Sequence, residues 1–183
     1  MATTTAKLMT FAEFERIPNP PEGGFPYELR HGELVKVAPP KLQHTRVQRQ
    51  LRRLLESAAG STGVIDKEIG FRALPEYEFR IADVAFVSTA RWEGSEDYLV
   101  GAPEIVIEVL SPSNTMTEML DREKLCLENG CQEFWVVDID RRQVKISTPD
   151  GRTITYRAGQ EIPLPLLNDG RIPVDAIFAP AEG

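Results

Sequence analysis

A chain of 183 residues, 42% hydrophobic and 27% charged, has the length and composition for one packed core. Its formal charge of −7 and pI near 5.0 exclude a grip on nucleic acid through bulk electrostatics, so a polyanion would have to meet a local basic patch or a bound metal. No apolar run approaches the ~20 residues that span a bilayer, and the opening MATTTAKLMT lacks the apolar core of an export signal, so no membrane association and a cytoplasmic location are expected.

Thr10 and Glu13 form a T-x-x-E capping box ahead of Phe11, Ala12 and Phe14, which starts a short helix. The prolines and glycines of IPNPPEGGFP make the next segment irregular. YELRHGELVKVAP alternates as two short strands about a His31–Gly32 turn. From Lys41 to Ala59 the period is helical: His44, Val47, Leu51, Leu54, Leu55 and Ala58 fall on one stripe, with Lys41, Arg46, Arg49, Arg52 and Arg53 opposite.

Apolar runs of strand length follow at VIDKEIGFRA, RIADVAFVS, EIVIEVLS and EFWVVDI, the last two separated by a helix from Glu118 to Asn129 that Asn129–Gly130 closes. Strand, crossover helix, strand is the unit of a parallel pair. QVKIST, a Pro149–Asp150–Gly151 turn and TITYRA end the chain as a meander. The pattern is that of an α/β (α+β) domain over 9–179, a central mixed sheet flanked by helices with β-hairpin additions at both ends. Residues 1–8 and 180–183 are expected to be flexible termini. Cys126 and Cys131 lack the spacing and nearby histidines of a zinc site and read as reduced thiols.

Two carboxylates stand where burial alone would not put them. By alternation Asp83 shares a face with Ile81, Ala85 and Val87, and Glu108 with Val106 and Leu110. A buried carboxylate must meet a cation, accept hydrogen bonds or line a cleft. A divalent metal between the two would satisfy both, since Mg²⁺ takes hard oxygen ligands, commonly one or two carboxylates with waters and phosphate oxygens. Pairing of either acid with Arg80, Lys67 or a helix terminus is the structural alternative. Ser111 and Ser113 have no histidine to pair with as nucleophiles, and no glycine-rich phosphate loop is present.

YELRHGEL, His44 on its helix, RIADVAFV, PEIVIEVLSPS and NGCQEFWVVD, in this order and at these separations, resemble the bacterial putative restriction endonuclease domain family of the PD-(D/E)xK nuclease superfamily. The resemblance covers nearly the whole chain and implies a restriction-endonuclease-like core, with Asp83 and Glu108 as ligands of Mg²⁺ (or Mn²⁺). It also matches Glu28 to an N-terminal acid and His44 to a helix histidine. The implied function is metal-dependent endonucleolytic hydrolysis of DNA phosphodiester bonds; a homodimer is expected on general grounds, since two-fold dimers are the commonest oligomers and palindromic cutting needs two sites. The alternative is a catalytically weakened nuclease-fold binding or scaffold protein.

The chain departs from the family pattern at two places. Ala82 stands where the family has a proline before the strand aspartate, which loses a stiff turn but no ligand. The lysine expected on the helix after EVLSPS is replaced by Arg122, with Lys124 two residues on. Helical angles leave both flanking the apolar stripe, with Glu123 in its middle, a candidate for the site or for a pair with Arg46 or Arg80. Arginine keeps its charge and offers a fixed fork of donors, which makes it a stabiliser of phosphate charge and a poor base. Arg46, Arg49 and Arg53 line up as a stripe suited to nucleic-acid backbone contact, although a charged outer helix face is more often merely solvated.

Overall fold

The computed structural model describes residues 7–18, 26–112 and 114–180. Most of the expected flexible termini (1–6 and 181–183), most of IPNPPEGGFP and Ser113 lie outside the described residues.

Thr10 caps helix α1 (Phe11–Phe14) as its sequence dictates: its hydroxyl accepts the Glu13 N–H, and the Glu13 carboxylate accepts the Thr10 N–H at 2.9 Å. Phe11 and Phe14 then pack with Leu29 and Phe79 in a small N-terminal core. Strands β1 (Tyr27–Arg30) and β2 (Glu33–Lys36) form a hairpin closed by His31 and Gly32, at φ 50° and 77°. Positive φ at both turn residues is what a two-residue hairpin with the right twist requires.

Helix α2 (Leu42–Ala59) lays Val47, Leu51, Leu55 and Ala59 on the sheet, with Leu54 and Ala58 at the margin of the same core. Strands β3 (Gly63–Arg72) and β4 (Arg80–Ser88), short helix α3 (Thr89–Glu93) and edge strand β5 (Leu99–Val100) follow. Strand β6 (Ile105–Val109), helix α4 (Met116–Glu128) and strand β7 (Glu133–Asp138) form the expected parallel unit. A second capping box, Thr115 with Glu118, starts α4, and Gly130 at φ 111° follows its end.

Strands β8 (Gln143–Ser147) and β9 (Thr153–Arg157) extend the same sheet, giving the order β5-β3-β4-β6-β7-β8-β9 with seven strands. The meander is therefore part of the main sheet. The C-terminal addition is a later hairpin of β10 (Glu161–Leu164) and β11 (Gly170–Pro173), leading into α5 (Val174–Ile177). It packs on α2 through Ile162, Leu164, Ile172 and Val174, and the Gln50 amide donates to the Ala176 carbonyl at 2.8 Å. One apolar core thus lies between the sheet and α2, and a second, including Met119, Leu125 and Cys126, lies between the sheet and α4. The free thiols Cys126 and Cys131 are both buried.

Candidate active site

The site forms where the sheet opens. β4 pairs with β3 at Lys67–Val84 and again at Ile69–Ala82, but Glu68, opposite Asp83, adopts φ 58° and drops out of the ladder. On its other side β4 pairs with β6 from Phe86–Ile105 to Val84–Ile107 and stops there. Asp83 and Glu108 are the next positions in that register, so the two acids flank the fork between diverging strands.

Regular alternation would turn Asp83 with Ala85 and Val87 toward α4, and the structure corrects that expectation. Ala85 and Val87 do join the α4-side core, but the Asp83 carboxylate is engaged from α2. Its Oδ1 accepts the Gln48 side-chain amide at 3.0 Å, and its Oδ2 accepts the Val109 backbone N–H at 2.8 Å. His44 Nε2 lies 3.1 Å from Oδ2 and 3.0 Å from the Val109 carbonyl. A carbonyl only accepts, so Nε2 carries the hydrogen. The carboxylate thus takes over a strand amide at the point where the ladder ends, and the histidine and glutamine one helical turn apart on α2 hold it there.

Glu108 keeps the alternation and is addressed from the opposite face. Between Ile107 and Val109 of the α2-side core, it turns to α4, where Arg122 Nη1 donates to its Oε1 at 2.8 Å and to the Ile81 carbonyl at 3.1 Å. Arg122 Nη2 reaches both oxygens of Glu28 on β1, at 2.7 and 2.6 Å. Glu28 accepts in addition from Arg30 Nε at 2.7 Å and from the Ile81 N–H at 2.8 Å. One buried guanidinium therefore joins β1, β4 and β6 to α4, in the fork geometry that arginine provides and lysine does not.

The electrostatics follow from that sharing. Glu108 is pushed up to about 8, by burial first and by Asp83 and Glu28 in the same sense, against the opposing pull of Arg122. For Glu28 burial acts in the same upward sense, but Arg122, Arg30, the Ile81 N–H and Arg80 outweigh it and hold the carboxyl below the usual range. Burial disfavours charge on His44, yet its bond to Asp83 and the nearby acids raise its pKa overall. Two buried atoms beside Asp83, His44 Nδ1 and Gln48 Oε1, have no hydrogen-bond partner among the described residues.

Other anticipated residues stand outside this cluster. Lys124 is 74% exposed and 4.0 Å from Glu128 one turn on, because Arg122 and Cys126 occupy the inward face of α4 and Lys124 lies between them on the outer one. Glu123 pairs with Lys145 of β8 at 2.6 Å, not with Arg46 or Arg80. Arg80 pairs with Glu78 at 2.7 Å and Asp121 at 3.3 Å, and neither Arg80 nor Lys67 serves as the partner of Asp83 or Glu108. Arg46, Arg49 and Arg53 are exposed on the outer face of α2. Gln48 was not anticipated; a glutamine one turn after His44 on an otherwise apolar stripe was its signal in the sequence.

Among the described residues no group of three or more His, Cys, Asp or Glu side chains is arranged to hold a metal. Two carboxylates suffice for Mg²⁺, which keeps several waters. The donor chemistry fits, since both are hard oxygen ligands, the side chain of Asp83 is 22% exposed and Asp83 is near enough to act on the buried Glu108; the two carboxylates are engaged from opposite faces of the sheet, so a shared ion would have to draw Glu108 from Arg122 or Asp83 from α2.

The mixed sheet with helices on both faces is the arrangement to compare with known proteins. A family described as "Uma2: Putative restriction endonuclease" matches residues 11–174, and the chain belongs to it. Among solved structures it is similar to a crystal structure from Anabaena variabilis ATCC 29413 described as a putative nuclease belonging to DUF820. The two share 21% identity over 93% of this chain and 97% of that one, with a TM-score of 0.80, a likeness of fold. No curated protein matches the chain.

Proposed function

We propose that this protein is a divalent-metal-dependent endonuclease that hydrolyses DNA phosphodiester bonds, with Asp83 and Glu108 as the residues that hold Mg²⁺ or Mn²⁺. The observation that carries the proposal is the placement of these two acids at one strand fork, with Glu108 buried and incompletely neutralised. The ion supplies Lewis-acid stabilisation of phosphate charge and lowers the pKa of a water. The residues of the chain do the rest. Gln48, His44 and the Val109 N–H fix the direction of Asp83. Arg122 fixes Glu108 and keeps its charge at every working pH, which makes it a stabiliser and not a proton acceptor. Glu28 anchors Arg122 from behind and does not itself meet substrate in this scheme. A homodimer suits the proposal, since two-fold dimers are the commonest oligomers and cutting both strands of a symmetric site takes two centres. Two free buried thiols suit a reducing compartment, and we place the activity in the cytoplasm.

The test is cleavage of duplex DNA with Mg²⁺ or Mn²⁺ and with EDTA. Cutting is expected only with the ion, and both Asp83→Asn and Glu108→Gln are expected to abolish it. Either variant cutting at the wild-type rate overturns the assignment.

One observation favours a second reading, a nuclease-fold binding or scaffold protein with weakened turnover: Arg122, at the expected lysine position, already occupies Glu108 and Glu28. On that reading the protein cuts no nucleic acid and binds metal weakly. Micromolar affinity for Mn²⁺ by calorimetry rules it out.

A further inference from the structure

The outer side of α2 carries a feature that the carboxylate cluster does not use. Arg49, Arg52, Arg53 and Glu56 of α2, with Lys67 of β3, line a recess of about 470 Å³. Arg52 is held by Asp66 at 3.1 Å and Glu56 at 3.5 Å. Arg49, Arg53 and Lys67 have no carboxylate partner among the described residues, so three uncompensated cations converge on one recess in a chain of charge −7. Such a local excess of positive charge attracts anions.

Two of its lining residues are neighbours, in chain or in register, of residues at the fork. On the strand side, Lys67 is the register partner of Val84, the residue after Asp83. On the helix side, Arg49 follows Gln48, whose amide holds Asp83. No glycine lines the recess, whereas sites for small phosphate esters use glycine-rich backbone cradles. Long cationic side chains along a helix and its neighbouring strand are what backbone-tracking contacts use. Arg46, part of the stripe suggested by the sequence, does not line it, and Arg52 and Lys67 do.

We propose that the recess between α2 and β3 is a phosphate-backbone subsite that seats the DNA strand leading to Asp83 and Glu108; this rests on the DNA-directed function proposed above. The strand enters along Arg49 and Arg53, and Lys67 holds the phosphate nearest the fork.

The experiment is fluorescence anisotropy of a labelled DNA duplex over a salt series in EDTA, where binding is read without cleavage. Arg49→Glu with Arg53→Glu is expected to weaken binding by about tenfold or more and to reduce the salt slope by about 2, roughly one for each phosphate that is no longer neutralised. Lys67→Gln is expected to reduce the slope by about 1. Arg157→Glu, on β9, is expected to bind as the wild type does. Near-UV circular dichroism checks the fold of each variant, and Arg49→Gln with Arg53→Gln is the milder pair should the charge reversal fail to fold. Wild-type binding by the α2 pair overturns the subsite and leaves the DNA-directed function standing. An equal loss in Arg157→Glu also overturns it, because bulk charge would then suffice. A wild-type protein that binds no duplex at any salt concentration in EDTA overturns the subsite, and cleavage with Mg²⁺ or Mn²⁺ then decides the DNA-directed function separately.

Discussion

Asp83 and Glu108 stand on neighbouring strands at one fork, and the fold treats them in opposite ways. Asp83 is partly exposed and held by a backbone N–H, an amide and an imidazole. Glu108 is buried against a full positive charge and still has its pKa pushed up to about 8. The difference comes from who else claims the cation. Arg122 gives two hydrogen bonds to Glu28 and one to Glu108, and Glu28 has Arg30 and the Ile81 N–H besides. A salt bridge at 2.8 Å is thus no sign that an acid is satisfied, because one guanidinium shared by two carboxylates leaves the less favoured one short of charge.

The sharpest way to break this comparison is to remove the shared cation. Arg122→Met leaves Glu28 buried with its principal partner gone, and breaking a buried pair in this way costs about 3–5 kcal/mol. Glu108 loses less, since its carboxyl already favours the protonated form. Adding Glu108→Gln to Arg122→Met should therefore restore little of the stability. Chemical denaturation measures both: a loss under about 1 kcal/mol for Arg122→Met, or recovery of most of it in the double variant, would contradict the unequal sharing.

Raising the pH sharpens the same contrast with a smaller effect. In the folded, metal-free protein Glu108 titrates at about 8, above its ordinary 4.5. A raised pKa means that the fold favours the protonated form; that contribution is complete below pH 4.5 and is lost as pH rises through about 8. His44, also raised, adds a loss of the same sign above its ordinary 6.5. The melting temperature of the metal-free protein should fall across this window, and Glu108→Gln should flatten most of the fall. Mg²⁺ binds the ionised form, so its stabilising effect should grow over the same interval. A profile that is the same in wild type and Glu108→Gln would place the proton elsewhere.

Much of this architecture was legible in the residues, and the misreadings have physical causes. The Thr10–Glu13 box, the apolar stripe of α2 and the unit from β6 through α4 to β7 follow from local rules that the tertiary structure does not override. The adjacency of Asp83 and Glu108 comes from the β4–β6 pairing, which no local rule dictates, while their placement on strands follows from two alternating patterns. The direction of Asp83 does not, because alternation holds only while the ladder holds, and the ladder fails where Glu68 takes a positive φ that nothing in VIDKEIGFRA announces. Arg122 and Lys124 were inseparable by helical angle because α4 is only weakly amphipathic; what turns Arg122 inward is Glu28, an acid far away in the chain. The β10–β11 hairpin escaped notice because EIPL and GRIP are four residues each and carry prolines.

The Asp83 side of the comparison gives the smallest effect. Gln48 is 1% exposed and donates to Asp83, yet its own Oε1 is buried without a partner. Gln48→Leu removes a hydrogen bond to a charged group, costing about 1.5–3 kcal/mol, and also removes the unpaired carbonyl, which returns about 1–3 kcal/mol. The net change in stability should stay within about 1 kcal/mol. Its effect on Asp83 should be larger than its effect on the fold: with the lateral restraint gone, the carboxylate is free to swing from Oδ1, and any metal-dependent activity should fall while Gln48→Glu, which puts an acid beside an acid, falls further. If Gln48→Leu instead destabilised the protein by several kcal/mol, or left Mn²⁺ affinity and turnover both untouched, the amide would be a packing residue and Asp83 would owe its orientation to the Val109 N–H and His44 alone.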